Sequence, residues 1–380
     1  MSDSKPIAIG LGGLLPYLRM DAEELTERIQ AIRRRWGSRL LILGHHYQRD
    51  EVIAMTDLRG DSYRLSELAA ENEACRAIVF CGVHFMAETA DILTNQPRLL
   101  ALRGEQRAPV ILPDVEAGCS MADLAHIDQV EACWAQLVRV IDVDDVMPVT
   151  YINSTAAIKA FCGRHGGIVC TSSNAGAVLD WAFAQRRRVL FFPDQHLGRN
   201  TAMAKGIAIK QMPVWDPEKP TLGGNTEESI SESRVILWRG HCSVHQVFTP
   251  EDVREIRRRV PGVKVIVHPE CPHAVVAEAD MSGSTARIIR EIEASEPGTR
   301  WAVGTELNLV NRLRRAYPDR EIHCLGSAVG VCPTMFRIDL PQLCWSLENL
   351  DSGSPVNVIR VDDETARWAL LALDRMLQVK

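Results

Sequence analysis

The hydrophobic pattern of this chain alternates between two kinds of segment. Short runs rich in Val, Ile and Leu, such as RLLILGHHYQ, AIVFCGVHF and MPVTYINS, have the length and composition of buried strands. Between them, apolar residues recur at three- and four-residue spacing, as in GDSYRLSELAAENE and DMSGSTARIIREIEA, and this spacing predicts amphipathic helices. Strand–helix alternation of this kind predicts an α/β fold with parallel sheets.

The alternation recurs three times, and each block closes with a cysteine in a turn of small residues. These turns are EAGCSMAD, RGHCSVH and VGVCPTM. We therefore predict three homologous α/β/α domains with short parallel sheets, arranged around a pseudo-three-fold axis with the site at the centre. The predicted boundaries are 38–146 for the first domain with a leading helix at 21–36, 147–260 for the second, 261–345 for the third, and 346–380 for a C-terminal helical segment packed on a domain face.

One stretch of the second domain breaks the pattern. The sequence from about 200 to 234 is polar, acidic and rich in Gly and Pro. Such a composition is typical of surface loops, because it offers few apolar side chains to bury. We expect a long polar insertion here, either a surface excursion or a mobile loop.

Composition and charge narrow the function classes. The net charge of -6 does not suit binding to nucleic acid or to an anionic membrane surface. No apolar run approaches the roughly 20 residues that a membrane-spanning helix needs. The N-terminus lacks a charged region and a cleavage site, so we interpret it as mature sequence. The 11 cysteines then favour reduced thiols or metal ligands in a cytoplasmic protein.

The cysteines that close the blocks are the strongest candidates for chemistry. None belongs to a CxxC pair, and three thiols on equivalent units can converge on one point; these are Cys119, Cys242 and Cys332. Three thiolates suffice to hold a cubane iron–sulfur cluster and leave one iron without a protein ligand. Cys271 in VHPECPH competes with Cys332 for the third position, and Cys324 is a weaker competitor. We favour Cys332 because its turn resembles the other two.

Polar residues at strand ends and helix starts complete the candidate site. His45, Tyr47, His268 and Glu270 supply acid–base groups; on a strand, the last two would share one face. Tyr151 and Asn153 end the first strand of the second block. Helices are predicted to begin at Ser62, Ser172 and the Ser284–Thr285 pair, where exposed N–H groups favour phosphate or carboxylate. Simple helix capping is the alternative for these hydroxyls.

In these residues the chain resembles the quinolinate synthase family. The motifs that carry the resemblance include GHHYQRDEV, GDSYRLSELA, PDVEAGCSMAD, TYINSTAAIKA, CTSSNA, FFPDQHLGRN, GHCSVH, VHPEC, GSTARI, GTELNLV and CPTM. They occur in order from about Leu40 to Leu347 and so cover most of the chain. The CxxCxxC run that some members carry at the last cysteine is absent, so we expect no redox switch of that kind.

The resemblance implies both an activity and roles for residues. It implies a 4Fe–4S cluster on Cys119, Cys242 and Cys332, and condensation of iminoaspartate with dihydroxyacetone phosphate to quinolinate, phosphate and water. Tyr47, His268 and Glu270 would be catalytic. The substrate contacts that it implies are His45, Ser62, Tyr151, Asn153, Ser172, His268, Glu270 and Thr285. An aspartate oxidase or dehydrogenase would supply the imine.

Two other functions fit the same residue types. One is a different 4Fe–4S hydro-lyase that acts on a hydroxy acid through the open iron. The other is a non-catalytic iron–sulfur sensor. The predicted anion sites and acid–base groups disfavour a sensor, and dependence on a triose phosphate would distinguish the synthase from the hydro-lyase.

Overall fold

The computed structural model describes residues 13–326 and 330–379. Our interpretation of the N-terminus as mature sequence rests partly on residues 1–12, which lie outside these ranges. None of the helices in the described ranges has both the length and the apolar character needed to cross a membrane.

The helices follow the predicted amphipathic segments closely. The leading helix is α1, and Asp21 caps it by accepting a hydrogen bond from the backbone N–H of Glu24 at 2.9 Å. The helices of the described residues are α1 (Ala22–Trp36), α2 (Asp50–Ile53), α3 (Ser62–Glu71), α4 (His84–Thr94), α5 (Pro97–Leu102), α6 (Ile127–Leu137), α7 (Ala156–Arg164), α8 (Ala175–Phe183), α9 (Gln195–Ala204), α10 (Glu227–Ser231), α11 (Pro250–Arg259), α12 (His273–Glu278), α13 (Thr285–Glu293), α14 (Leu307–Ala316), α15 (Leu340–Asp351) and α16 (Asp363–Gln378).

The strands form three sheets. The first contains β1 (Leu40–His45), β2 (Leu58–Gly60), β3 (Ala77–Cys81), β4 (Val110–Ile111) and the late strand β14 (Val358–Ile359). The second contains β5 (Val146–Tyr151), β6 (Ile168–Cys170), β7 (Arg188–Phe192), β8 (Val214–Trp215) and β9 (Val235–Trp238). The third contains β10 (Lys264–Val267), β11 (Met281–Ser282), β12 (Arg300–Gly304) and β13 (Glu321–Cys324). We call each sheet with its helices a unit.

All three sheets share one strand order. The four common strands of each unit run second, first, third, fourth: β2-β1-β3-β4, β6-β5-β7-β9 and β11-β10-β12-β13. Every pair among them is parallel, for example Leu43 beside Phe80 in the first sheet and Val265 beside Ala302 in the third. The predicted α/β fold with parallel sheets is therefore confirmed, and the shared order supports its threefold repetition. The exact domain boundaries stay a prediction.

The strands are buried on both faces, as their continuous apolar sequences require. Every residue of β1, β3, β5 and β7 is buried. Helices cover both sides of such a sheet, so its ligand-accessible part is the edge where the parallel strands end. The polar side chains that follow β1, β5 and β10 lie at that edge.

One segment of the second unit differs from the expectation. The predicted polar insertion at about 200–234 is not simply a loop, because it contains β8, which pairs in parallel with β9 at the edge of the second sheet. Trp215 and Ile230 of this segment are buried. Their apolar surface anchors an otherwise polar stretch.

The C-terminal segment joins two units. Strand β14 pairs with β4 in antiparallel orientation and so extends the first sheet. Helix α16 packs on α7 of the second unit, as predicted for a helix on a domain face. The two helices approach closely at Gly163, where a Cβ would lie 1.9 Å from the carbonyl oxygen of Trp368. Only glycine fits at this crossing.

An arginine fixes the third unit to the first. Arg312 of α14 donates to the carbonyl oxygens of His46 at 2.7 Å and Gln48 at 2.8 Å. Its Nε atom donates to Asp50 at 2.9 Å. The loop that carries Tyr47 is thereby held from both sides.

Candidate functional site

A central cavity of about 640 Å³ lies where the strand ends of the three units meet. Each unit supplies polar side chains from the loops that follow its strands, so the cavity exists only when all three are packed together. Twelve of the predicted site residues line this one cavity, whereas Ser284 does not; the twelve are His45, Tyr47, Ser62, Cys119, Tyr151, Asn153, Ser172, Cys242, His268, Glu270, Thr285 and Cys332.

The three cysteines occupy equivalent positions in the three units. Cys119 follows β4, Cys242 follows β9 and Cys332 follows β13, so each comes after the fourth common strand of its sheet. All three are free and partly buried. Burial raises the pKa of the Cys119 thiol to about 12 and raises that of the other two. A metal centre would have to displace the proton from each of these thiols, because metals bind the thiolate.

Among the described residues, the three cysteines do not form a compact site for a single metal ion. Ligands about 2.3 Å from one metal ion lie within about 4.6 Å of each other. The sulfurs of the three cysteines do not all lie within 4.8 Å of one another, although the three residues line the same cavity. A polynuclear iron–sulfur group separates its thiolates further, and thiolates are its usual ligands. The three cysteines therefore fit such a group.

A different trio does come within that spacing. Ligand atoms of Cys242, His245 and Glu270 lie within 4.8 Å of one another. However, both ring nitrogens of His245 are engaged, Nδ1 with Glu270 at 2.8 Å and Nε2 with Thr305 at 3.1 Å. A histidine needs a free ring nitrogen to bind a metal, so this trio is better described as a hydrogen-bond network.

The competing cysteines lie elsewhere. Cys271 is fully buried among the apolar residues of the third unit, and its Sγ atom lies 3.7 Å from the carbonyl oxygen of Gly304. Cys324 ends β13 and is not among the residues that line the central cavity. The placement of Cys332 in the cavity supports it as the third ligand.

A chain of hydrogen bonds connects the acid–base groups. Glu270, which is 3% exposed, bonds to His245 at 2.8 Å, and His245 bonds to Thr305 at 3.1 Å. Thr305 bonds to the hydroxyl of Tyr47 at 3.0 Å, and this hydroxyl also bonds to Thr285 at 3.1 Å. Tyr151 of the second unit lies close enough to Glu270 to lower the pKa of its carboxyl. Proton donors and acceptors of all three units are thus in contact.

Burial sets the charge states of this network. It lowers the pKa of both His45 and His268 to about 3, so that both rings are neutral near pH 7. Burial opposes ionisation of Glu270, but His268, His245 and Tyr151 together hold its pKa below the usual range. Burial also raises the pKa of Tyr47 and Tyr151, which keeps both phenols protonated. The Glu270 carboxylate therefore lies near the neutral ring of His268 and the protonated phenol of Tyr151.

The orientation of the histidines follows from their backbone contacts. The Nδ1 atom of His45 accepts from the N–H of Tyr47 at 3.2 Å. Similarly, Nδ1 of His268 accepts from the N–H of Glu270 at 3.4 Å. Each contact leaves Nε2 as the ring atom that carries the proton. His268 and Glu270 follow β10 rather than ending it, so they share the cavity through a turn and not through strand alternation as expected.

The predicted anion-binding hydroxyls are placed differently from one another. Ser62 is the first residue of α3 and Thr285 the first of α13, as the sequence predicted. Ser172 does not begin a helix: it lies in a turn, and α8 begins only at Ala175. Asn174 stabilises that turn instead, because its Oδ1 atom accepts from the N–H and the hydroxyl of Thr171 at 2.8 and 3.0 Å.

His245 and Thr305 belong to the site but were not predicted from the sequence. His245 lies three residues after Cys242 in RGHCSVH, and Thr305 directly follows β12 in GTELNLV. Their positions after a cysteine turn and at a strand end were the available signals. His245 is 1% exposed and stacks on His268, with ring centroids 4.4 Å apart.

Comparison with known proteins gives consistent matches over nearly the whole chain. A family model described as quinolinate synthetase A protein matches residues 27–378. A quinolinate synthase of Rhodopirellula baltica is 62% identical over 367 residues, which cover 97% of this chain and 94% of that protein. Quinolinate synthases of Nocardioides sp. and Geobacillus kaustophilus are 54% and 53% identical over 360 and 363 residues. These matches cover 93% and 96% of this chain, and 89% and 95% of the two relatives.

Proposed function

The chain belongs to the quinolinate synthetase A family, and we propose that it condenses iminoaspartate with dihydroxyacetone phosphate to give quinolinate, phosphate and water. The observation that carries this proposal is the central cavity. It brings three cysteines from three units together with acid–base groups and with hydroxyls at the first residues of α3 and α13. A reaction that joins two anionic substrates and loses water needs this combination.

We propose that Cys119, Cys242 and Cys332 hold a 4Fe–4S cluster. Three thiolates leave one iron without a protein ligand, so the bound cluster supplies Lewis-acid polarisation of a carboxylate or hydroxyl oxygen without net redox chemistry. The neutral rings of His45 and His268 add no positive charge that would compete with the metal for a substrate carboxylate. The side chains that line the cavity would bind the substrates and transfer protons.

The first residues of two helices are suited to hold the anionic groups of the substrates. Ser62 and Thr285 offer hydroxyls at the positive ends of the α3 and α13 dipoles, although the Asp61 carboxylate caps α3 and Ser284 caps α13. Asn153 has a buried side-chain oxygen without a hydrogen-bond partner among the described residues. Because an unpaired buried polar atom is costly, this oxygen is suited to accept a hydrogen bond from a substrate.

Glu270 is suited to relay protons through its hydrogen bond to His245, rather than to act as a strong base, because its neighbours hold its pKa below the usual range. Its carboxylate lies between His245, His268 and Tyr151, and burial shields it from water. Imine formation and dehydration both require protons to leave carbon or nitrogen and to reach a departing oxygen. The contact with His245 gives Glu270 a partner that stabilises the carboxylate, and Tyr47 is suited to donate a proton at the other end of the network.

The rival functions are less well supported. A hydro-lyase for a hydroxy acid would need no site for a phosphate, whereas this cavity has two hydroxyl-bearing helix N-termini as well as the three cysteines. A non-catalytic sensor would not require the buried carboxylate and tyrosines.

The proposal is tested with anaerobically reconstituted protein. Incubation with iminoaspartate and dihydroxyacetone phosphate should produce quinolinate, and omission of the triose phosphate should abolish the product. Dehydration of a hydroxy acid without a triose phosphate would instead identify a hydro-lyase. Absence of quinolinate from protein with full iron content would refute the proposed reaction.

We also propose a supplier and a compartment. Iminoaspartate hydrolyses readily in water, so an aspartate oxidase or dehydrogenase must form it nearby. All 11 cysteines are free, which suits the reducing cytoplasm.

A further inference from the structure

A second cavity lies beside the central one, between the second and third units. Its volume is about 910 Å³, and we call it the outer cleft. Helices α8 and α9 form one wall, and α13 with the turn before it forms the other. Residues that contribute to it include Ser172, Asn200, Ser282, Ser284, Arg287 and Arg290.

The outer cleft and the central cavity share a thin wall. Ser172 lines both. Pro269 lines the cleft while its neighbours His268 and Glu270 line the central cavity. In the same way, Ser284 faces the cleft and Thr285 faces the central cavity. The cleft therefore adjoins the substrate-binding side of the site.

The charged side chains that line the cleft are all positive. Its lining includes two arginines and, among the described residues, no carboxylate. Arg287 donates to the carbonyl oxygen of Ser282 at 3.1 Å and pairs with Glu291 at 3.4 Å. Arg290 is exposed, and its guanidinium makes no hydrogen bond or ion pair within the described ranges. A cavity with walls of one charge concentrates small ions of the opposite charge.

Hydroxyl groups in the cleft add directional donors. The Oγ atom of Ser282 is buried and has no hydrogen-bond partner among the described residues. Ser173 and Thr201 also line the cleft, where their hydroxyls already donate to Asp61 at 3.1 Å and to the carbonyl oxygen of Leu197 at 2.7 Å. Guanidinium groups combined with hydroxyls are the usual partners of phosphate in proteins.

We propose that the outer cleft is a binding site for a phosphate monoester, at which the anionic triose substrate is held before it reaches the central cavity. This inference rests on the proposed function for the identity of the substrate, but the binding itself does not require catalysis. Arg290 and Arg287 provide the charge that attracts the phosphate group.

The test compares two double variants of the anaerobic holoenzyme. Arg287→Gln/Arg290→Gln removes two positive charges from the cleft. Arg258→Gln/Arg259→Gln, on α11, removes the same charge from exposed positions that line neither cavity. Calorimetric titration with glycerol 3-phosphate, a phosphate monoester without the reactive carbonyl, measures binding directly. Quinolinate formation at varied dihydroxyacetone phosphate gives kcat/KM.

We expect the cleft variant to bind glycerol 3-phosphate about tenfold more weakly than the wild type does. Its kcat/KM for dihydroxyacetone phosphate should also fall about tenfold, mainly through a higher KM, because the electrostatic attraction for the substrate is lost. The control variant should match the wild type in both measurements. Equal binding by the two variants, or no binding by the wild type, would overturn the proposal. If the cleft variant alone loses binding but no form makes quinolinate, the cleft assignment stands and the proposed reaction fails.

Discussion

Arg312 offers a direct test of how the third unit positions the catalytic loop of the first. Its guanidinium donates to the carbonyl oxygens of His46 and Gln48, the residues on either side of Tyr47, and to Asp50. Its side chain is 16% exposed. Arg315, one turn further along α14, pairs with the same Asp50, but its side chain is 63% exposed. The two arginines therefore form a matched pair.

The expected magnitudes follow from these contacts. A hydrogen bond that involves a charged group contributes about 1.5–3 kcal/mol, and bonds that share one guanidinium do not add fully. We expect Arg312→Gln to lower the free energy of unfolding by about 3 kcal/mol, whereas loss of an exposed ion pair in Arg315→Gln should cost about 0–1 kcal/mol. Because a displacement of about 1 Å at a catalytic group costs on the order of a hundredfold in rate, we expect kcat of Arg312→Gln to fall by about 10–100-fold.

Urea denaturation and anaerobic assays of quinolinate formation measure these effects. Iron content, determined on the same samples, separates loss of the cluster from displacement of Tyr47. If Arg312→Gln were as stable and as active as Arg315→Gln at equal iron content, the contact between α14 and the Tyr47 loop would have no role in positioning.

Three further outcomes follow from the structure. Serine at Cys271 should leave the iron content unchanged, whereas serine at any of the three cavity cysteines should abolish iron binding. Iron analysis and absorption spectra measure this difference, and full iron content in Cys332→Ser would contradict the ligand assignment. Glu270→Gln should fold and bind iron normally but form quinolinate about 100-fold more slowly, the scale of general acid–base catalysis; near-normal turnover would exclude a proton-transfer role. Gly163→Ala should destabilise the protein by about 3 kcal/mol or more, because the new Cβ would overlap the backbone of α16. A melting temperature equal to that of the wild type would contradict this close packing.

The sequence predicted the central site more completely than it predicted local structure. His45, Tyr47 and Tyr151 were found because they follow apolar runs, and parallel sheets bring the ends of such runs to one edge. The cysteines were found because their turns resemble one another. Both signals are local in sequence yet determine a position in the fold.

The features that the sequence did not predict depend on distant contacts. Strand β14 forms only because β4 offers a free edge far away in the chain. Ser172 was assigned to a helix start because serine commonly caps helices, but Asn174 stabilises a turn there instead. The role of His245 depends on Glu270 and Thr305, which come from other segments. A pattern read along one segment contains none of these contacts.

The late pairing of β14 with β4 has a consequence for biosynthesis. Strand β4 is complete once Ile111 has been made, but its outer edge stays unpaired until Val358 and Ile359 have left the ribosome. An open strand edge is a template for pairing with another chain, and domains generally fold in the order of synthesis. Nascent chains on one messenger RNA therefore present the same unpaired edge of β4 to one another for most of translation. Chaperone contact is needed most over that interval.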